Sequence, residues 1–266
     1  MRLAVAVIIC SAGCGRFSFD RAGDGGVAGD GRPIDAPGAI DGAADGAIDG
    51  AVDAALAPIA LVQQATKQMS STDTITIAFT SPTTPGHVLV MMASTDTKIT
   101  SIASVTGGGS TDWSEIAAVA GAGGTCSSCL RGAMWYGKTT ASGMSVVVTA
   151  AEVGLDDLAV SITEWSGIGA FEDKRTSGPV TSNDNVITPS ITPAQPSDLV
   201  LAMGAWDRAT LASGPLNGFT ALQPAIVPNN SILYAAYAIP GAPASTRWDL
   251  AMVPQSWITI IATFSH

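Results

Sequence analysis

The groups best placed to do chemistry in this chain are four carboxylates close together in sequence, Glu152, Asp156, Asp157 and Glu164. Two carboxylates about 5 to 10 Å apart can hydrolyse a glycosidic bond, one as acid and the other as base or nucleophile. Glu164, however, alternates in phase with Leu158, Val160 and Ile162, which predicts the buried end of a strand and an Arg or Tyr partner. Asp156-Asp157 reads as the turn before that strand. The stretch Glu164-Trp165-Ser166-Gly167 lacks the acidic triplet Glu-x-Asp-x-x-Glu of sandwich-fold glycosidases. No Ser occupies a Gly-x-Ser-x-Gly elbow. Gly107-Gly108-Gly109-Ser110 has no phosphate-loop Lys and reads as a hairpin turn. His87 and His266 are the only histidines, too few for a multi-histidine metal site and a poor basis for a histidine triad. No catalytic residue, metal or cofactor is assigned.

The remaining candidates are cysteines and aromatics. Cys126-Ser127-Ser128-Cys129 follows the Gly-rich stretch 121–124. Zinc would need two further ligands at matching spacing, and a thioredoxin-like pair would need a helix N-terminus after a strand; neither context is present. In an oxidising compartment the pair reads as a local loop disulfide of small entropic effect. Trp113, Trp135, Tyr136, Trp206, Tyr234, Tyr237 and Trp248 could stack on sugar rings if exposed. Most stand in strand patterns; Trp113 and Trp206 lie near turns and are the ligand-stacking candidates.

The N-terminus says where such a domain is held. Arg2 precedes the apolar run Leu3–Ile9, and Ser11-Ala12-Gly13 leads into Cys14 before the chain turns polar. A charged start, an apolar stretch and small residues before the cut mark an export signal. Ala12-Gly13-Cys14 resembles the lipobox of bacterial lipoproteins, although Ser11 stands where Leu is usual. The resemblance implies a signal peptide over 1–13, diacylglycerol on the Cys14 thiol and anchoring by lipid. The apolar run is far shorter than the roughly 20 residues of a membrane span. Gly15 after the cysteine, by the sorting habit of such lipoproteins, points to the outer membrane.

From residue 14 to 58 Gly, Ala and Asp dominate, and Asp41, Asp45, Asp49 and Asp53 recur every four residues. A helix would line up those carboxylates, but Gly42, Gly46 and Gly50 each cost about 1 kcal/mol there and like charges four apart repel. The segment reads as a disordered tether; it lacks the spacing of an EF-hand calcium loop. With 12 Lys+Arg against 22 Asp+Glu the net charge is -10. That balance excludes the basic footprint of a nucleic-acid binder and leaves the N-terminal lipid as the membrane contact. A glycan or an envelope protein is the partner expected.

The elements that must position these residues are strands. Ile75, Ile77 and Phe79 alternate with Thr74, Thr76, Ala78 and Thr80, the period-2 mark of a half-buried strand. Val146–Val148 reads as a short buried run. In the last strand Ile258, Ile260, Ala262 and Phe264 share a face, with Trp257, Thr259, Ile261 and Thr263 on the other. Asn217-Gly218 tolerates the positive φ of a turn. Four stretches recur in order: 88–94 with 199–205, 112–116 with 218–222, 133–137 with 233–237, and 158–166 with 257–265. The prediction is an all-β protein, an antiparallel, jelly-roll-like β-sandwich with pseudo-repeats over 59–167 and 168–266. The short connector 167–170 favours one large sandwich, with strands pairing across the repeat. Gly86-His87-Val88-Leu89-Val90, the Trp113 turn, Glu164–Gly167, Gly218-Phe219-Thr220 and the strand ending at Phe264 resemble a β-sandwich module of secreted bacterial proteins. That module carries no agreed catalytic residues, so the resemblance implies none.

Overall fold

The period-2 patterns become antiparallel strands in the computed structural model, which describes residues 57–96, 102–119, 130–151, 157–180, 184–226, 231–254 and 256–266. All belong to one compact unit, Asp53–His266. The signal, most of the tether and both Cys126 and Cys129 lie outside the described residues.

The first half contains β1 (Ala60–Ser70), β2 (Thr74–Ala78), β3 (Val88–Asp96), β4 (Ile102–Gly107), β5 (Ser110–Val119), β6 (Leu130–Thr139), β7 (Ser145–Ala150) and β8 (Asp157–Ser166). They hydrogen-bond in the order β1-β8-β3-β6-β5-β4-β7-β2. The sheet folds over at β5, where two irregularities in its ladder with β6 let Trp113 pack on the inner core while Ile116, Ala117 and Val119 turn to the opposite side. The β4–β5 hairpin turns through Gly107, Gly108 and Gly109, all at positive φ, which only glycine adopts without strain.

The second half contains β9 (Phe171–Val180), β10 (Asn185–Ile187), β11 (Leu199–Asp207), β12 (Leu211–Ser213), β13 (Thr220–Ala221), β14 (Ala225–Ile226), β15 (Ser231–Ala238), β16 (Arg247–Leu250) and β17 (Trp257–Phe264). One sheet runs β13-β15-β11-β17-β9, with β14 also on β15; the other runs β10-β16-β12. The strand order of the first half recurs: β9-β17-β11-β15 matches β1-β8-β3-β6, and β10-β16-β12 matches β2-β7-β4. This is the jelly-roll order in each half. The four stretches that echo each other in sequence fall on β3 and β11, β5 and β13, β6 and β15, and β8 and β17.

Three cores follow from the alternation of side chains. Leu89, Met91, Leu158, Val160 and Ile162 close the first half over Ile75, Ile77, Val146 and Val148. Val200, Ala202, Trp206 and Ile261 close the second over Val186 and Trp248. The opposite faces of the two broad layers meet in a third core, with Val90, Met92, Met134 and Trp165 from the first half against Leu201, Met203, Leu233, Ile258 and Phe264 from the second. That is why β11 and β17 are buried along their whole length and β8 up to its last residue: both faces are covered. Each large apolar side chain buried there stabilises by about 1.5–3 kcal/mol.

Two expectations are corrected. Among the described residues no ladder joins the halves, so strands do not pair across the repeat; the halves meet face to face, because their broad sheets each have an apolar back to cover. Val147 is half-exposed between buried Val146 and Val148, so β7 alternates where a continuous buried run was predicted.

Candidate functional site

The densest polar centre lies where β8 ends. Glu164 is fully buried, on the face of Leu158, Val160 and Ile162, as its phase in the sequence predicts. Its partner is neither Arg nor Tyr. Oε1 accepts from the Thr84 amide at 2.8 Å and lies 2.7 Å from His87 Nδ1. Oε2 accepts from Gln63 Nε2 at 2.6 Å. The three donors come from two places: Gln63 from the cross-strand position in β1, and Thr84 and His87 from the loop between β2 and β3.

That loop is held independently. Thr139 Oγ1 donates to the carbonyls of Thr84 at 2.6 Å and His87 at 2.9 Å. Thr83 Oγ1 donates to Gly108 at 2.8 Å and accepts from the Gly143 amide at 3.0 Å. Gln63 also bridges to Ser81, donating to its carbonyl at 3.0 Å. Together with Lys67 Nζ, which donates to Thr76 O at 2.9 Å, it closes the gap between edge strands β1 and β2. Charged and polar side chains there blunt the open edges of the sheet. The site is a carboxylate with both oxygens occupied and an imidazole oriented by it. Among the described residues no hydroxyl bonds to the His87 ring, so the nucleophile of a triad is not part of this arrangement.

At the equivalent place in the second half the chemistry differs. β1 pairs Leu61 with Trp165 and Gln63 with Glu164, leaving Val62 as an extra residue; β9 pairs Phe171 with Phe264 and Asp173 with Thr263, leaving Glu172. Both halves therefore bulge at the same point. Glu172 lies against Asp198, which is fully buried just before β11. Loss of water around the carboxyl, and then the neighbouring Asp198 charge, push Glu172 above the usual carboxylate range, although the residue as a whole is exposed.

The sequence-derived candidates are scattered. Trp206 corrects its expected exposure: it is fully buried, stacked on Tyr234 at 5.0 Å and 3°, with Nε1 donating to Ala209 O at 2.9 Å. Its place before a turn suggested a surface ring, but the small β10-β16-β12 sheet covers that end of β11. Burial also pushes the Tyr234 hydroxyl up. Trp113 is half-buried on the first core, and its Nε1 donates to Gly107 O at 3.1 Å. Trp248 is fully buried. Asp157 is no turn residue; it opens β8, is buried, and accepts from Ser70 Oγ at 2.6 Å. Glu152 and Asp156, like Cys14, Cys126 and Cys129, lie outside the described residues, so the four carboxylates are not brought together as a described site.

Sequence reasoning missed Gln63, Thr84 and His87 as partners of Glu164. One signal was available for His87, which alternates in phase with Leu89 and Met91 and so shares the inner face. No local pattern specifies the register that sets Leu89 opposite Glu164. Among the described residues no group of three or more His, Cys, Asp or Glu side chains is gathered as a metal cage. Compared with protein-family models, curated proteins and solved structures, the chain matches none, and the functional reading rests on its own geometry.

Proposed function

We propose that this is a lipid-anchored protein of the cell envelope, probing its surroundings with a rigid double β-sandwich in a binding or structural role. Acylated Cys14 holds it to the membrane, residues 14–58 give it reach, and the folded part contacts an envelope protein or a glycan. The observation that carries this reading is where the chain enters the fold. Ala57 and Pro58 sit beside Gly167, whose added Cβ would come within 2.6 Å of Ala57 O, and His266 Nε2 lies 2.8 Å from the same carbonyl. Entry, connector and last residue thus share one end of the strands. The opposite end, with the β1–β2 and β11–β12 turns and the exposed pair Met252 and Val253, faces away from the attachment point.

The alternative, a carbohydrate hydrolase, has less support, because both oxygens of Glu164 are already engaged by donors of this chain. Between the two partners, burial of Trp206 leaves only half-buried Trp113 of the two stacking candidates, which favours a protein contact. Detergent partitioning and fatty-acid labelling of the full chain, with and without Cys14→Ala, test the anchor: both signals should disappear in the variant, and unchanged partitioning would sink it. A glycan array tests the sugar arm, whose removal follows from an absence of signal.

A further inference from the structure

The Gln63 side chain is surrounded by groups that can exchange its nitrogen for another atom. Its Nε2 donates to Glu164 Oε2 at 2.6 Å and to Ser81 O at 3.0 Å. Its Oε1 accepts from the Ser81 amide at 3.3 Å, and Thr80 Oγ1 lies 3.5 Å from the same oxygen. The two ends of the carboxamide are thus told apart: a backbone N–H faces the oxygen and a carboxylate faces the nitrogen. Thr80 Oγ1 stands beyond the about 2.5–3.0 Å of a good O–H···O bond. Its hydroxyl is only loosely engaged, and the carbonyl carbon Cδ is one bond from the oxygen it faces. Glu164 is fixed from behind, because its Oε1 is taken by the Thr84 amide and by His87 Nδ1.

A hydroxyl beside a carboxamide can displace ammonia and leave an ester if three needs are met. The reactants must be held together, so that attack is intramolecular; β1 and the segment after β2 do this. The charge that develops on the carbonyl oxygen needs a fixed donor, here the Ser81 amide. The leaving nitrogen needs a group within hydrogen-bond reach to hand it a proton, here Glu164. The second half offers none of this at the equivalent place. Asp173 pairs with Thr263 where Gln63 pairs with Glu164, so neither the carboxamide nor its carboxylate is present. Among the described residues the arrangement occurs in the half whose first strand continues directly from the tether.

We infer that Thr80 and Gln63 form an intramolecular ester cross-link. Thr80 Oγ1 bonds to Gln63 Cδ and loses its proton to water, to which the residue is exposed. The Ser81 N–H steadies the charge on Oε1. A proton is returned through Glu164 Oε2 to Nε2, the Cδ–Nε2 bond breaks, and its electron pair leaves on ammonia. One ester and one ammonia result, and no oxidant or cofactor is consumed. Ammonia diffuses away, which drives the exchange of amide for ester. The cross-link spans the gap between edge strands β1 and β2, which otherwise only the side chains of Gln63 and Lys67 close. A pull arriving through the tether acts first on β1, and the ester carries it to the segment between β2 and β3. That mechanical use rests on the anchored reading above; the cross-link itself does not.

The test is a tryptic digest of the purified full chain, read by mass spectrometry. Lys67 lies between Gln63 and Thr80, so cleavage there separates the two residues unless a covalent bond joins them. The wild type should give a joined pair of peptides, lighter than their sum by one ammonia and split by hydroxylamine, which cleaves esters. Thr80 is exposed, so Thr80→Ala should fold; it and Gln63→Glu should give the two peptides separately. Ser81→Ala keeps the backbone contacts to Gln63 and should give the joined pair. Separate peptides of unaltered mass from the wild type overturn the inference, and so does Gln63 recovered as glutamate, the mark of simple hydrolysis. A joined pair that persists in Thr80→Ala, or that vanishes in Ser81→Ala, also overturns it. None of these readouts depends on Cys14, so the anchor and the cross-link stand or fall separately.

Discussion

Replacing Glu164 by Gln probes how much the buried carboxylate contributes, because the change keeps shape and removes charge and one acceptor. Glu164 now serves three donors, at 2.6, 2.7 and 2.8 Å. Hydrogen bonds to charged groups contribute about 1.5–3 kcal/mol each, and neutral ones about 0.5–1.5. A glutamine can keep its oxygen toward Thr84 and His87, which weakens those two bonds to neutral strength. Its NH₂ then faces Gln63 Nε2, donor against donor, and relief requires Gln63 to turn and give up its bond to Ser81 O. Two weakened bonds and one lost give about 2–4 kcal/mol of destabilisation. A domain of this size shifts by about 2–4 °C per kcal/mol, so Tm should fall by about 5–15 °C. His87→Ala should lose less, about 1–2 kcal/mol, because the His87 side chain is 21% exposed and water can take its place. Urea unfolding followed by circular dichroism reads both, and the double variant gives the coupling between them. If Glu164→Gln unfolds within about 0.5 kcal/mol of the wild type, the size of an ordinary surface change, the carboxylate is not the clasp described.

Two further outcomes follow from particular positions. Gly132 on β6 leaves room for the other half: an added Cβ would lie 2.3 Å from Ile258 Cδ1 and 3.1 Å from Met203 Cε. Gly132→Val should therefore lose about 1–3 kcal/mol by overpacking and bind a dye for exposed apolar surface; an unchanged urea midpoint would show that the halves do not dock through this point. Glu172 has its folded carboxyl raised, so its proton stabilises the fold below about pH 4.5 and that contribution is lost as pH rises through the raised value. Glu172→Gln should be more stable than the wild type at neutral pH and equal to it in acid; urea midpoints across the pH range that run parallel for the two proteins would refute this.

What the sequence determined was local. The alternation of Ile75 and Ile77 with threonines fixed β2 and its buried face, because the side chains of a strand alternate whatever it pairs with. The glycines at 107–109 fixed a turn, since three successive residues at positive φ strain any side chain that carries a Cβ. The four recurring stretches marked equivalent strands, and the phase of Glu164 put it inside. Register and layering were decided only in three dimensions. Nothing local to Trp206 says that a small second sheet covers its end of β11, and nothing local to Glu164 says that Gln63, a hundred residues earlier, lies opposite it. The same is true of the central core: Met92 and Met134 are apolar by type, but only the docking of one half on the other explains why they are buried facing Met203 and Ile258. A strand carries its own periodicity in its residues, whereas its neighbours are chosen by the free energy of the whole packed fold.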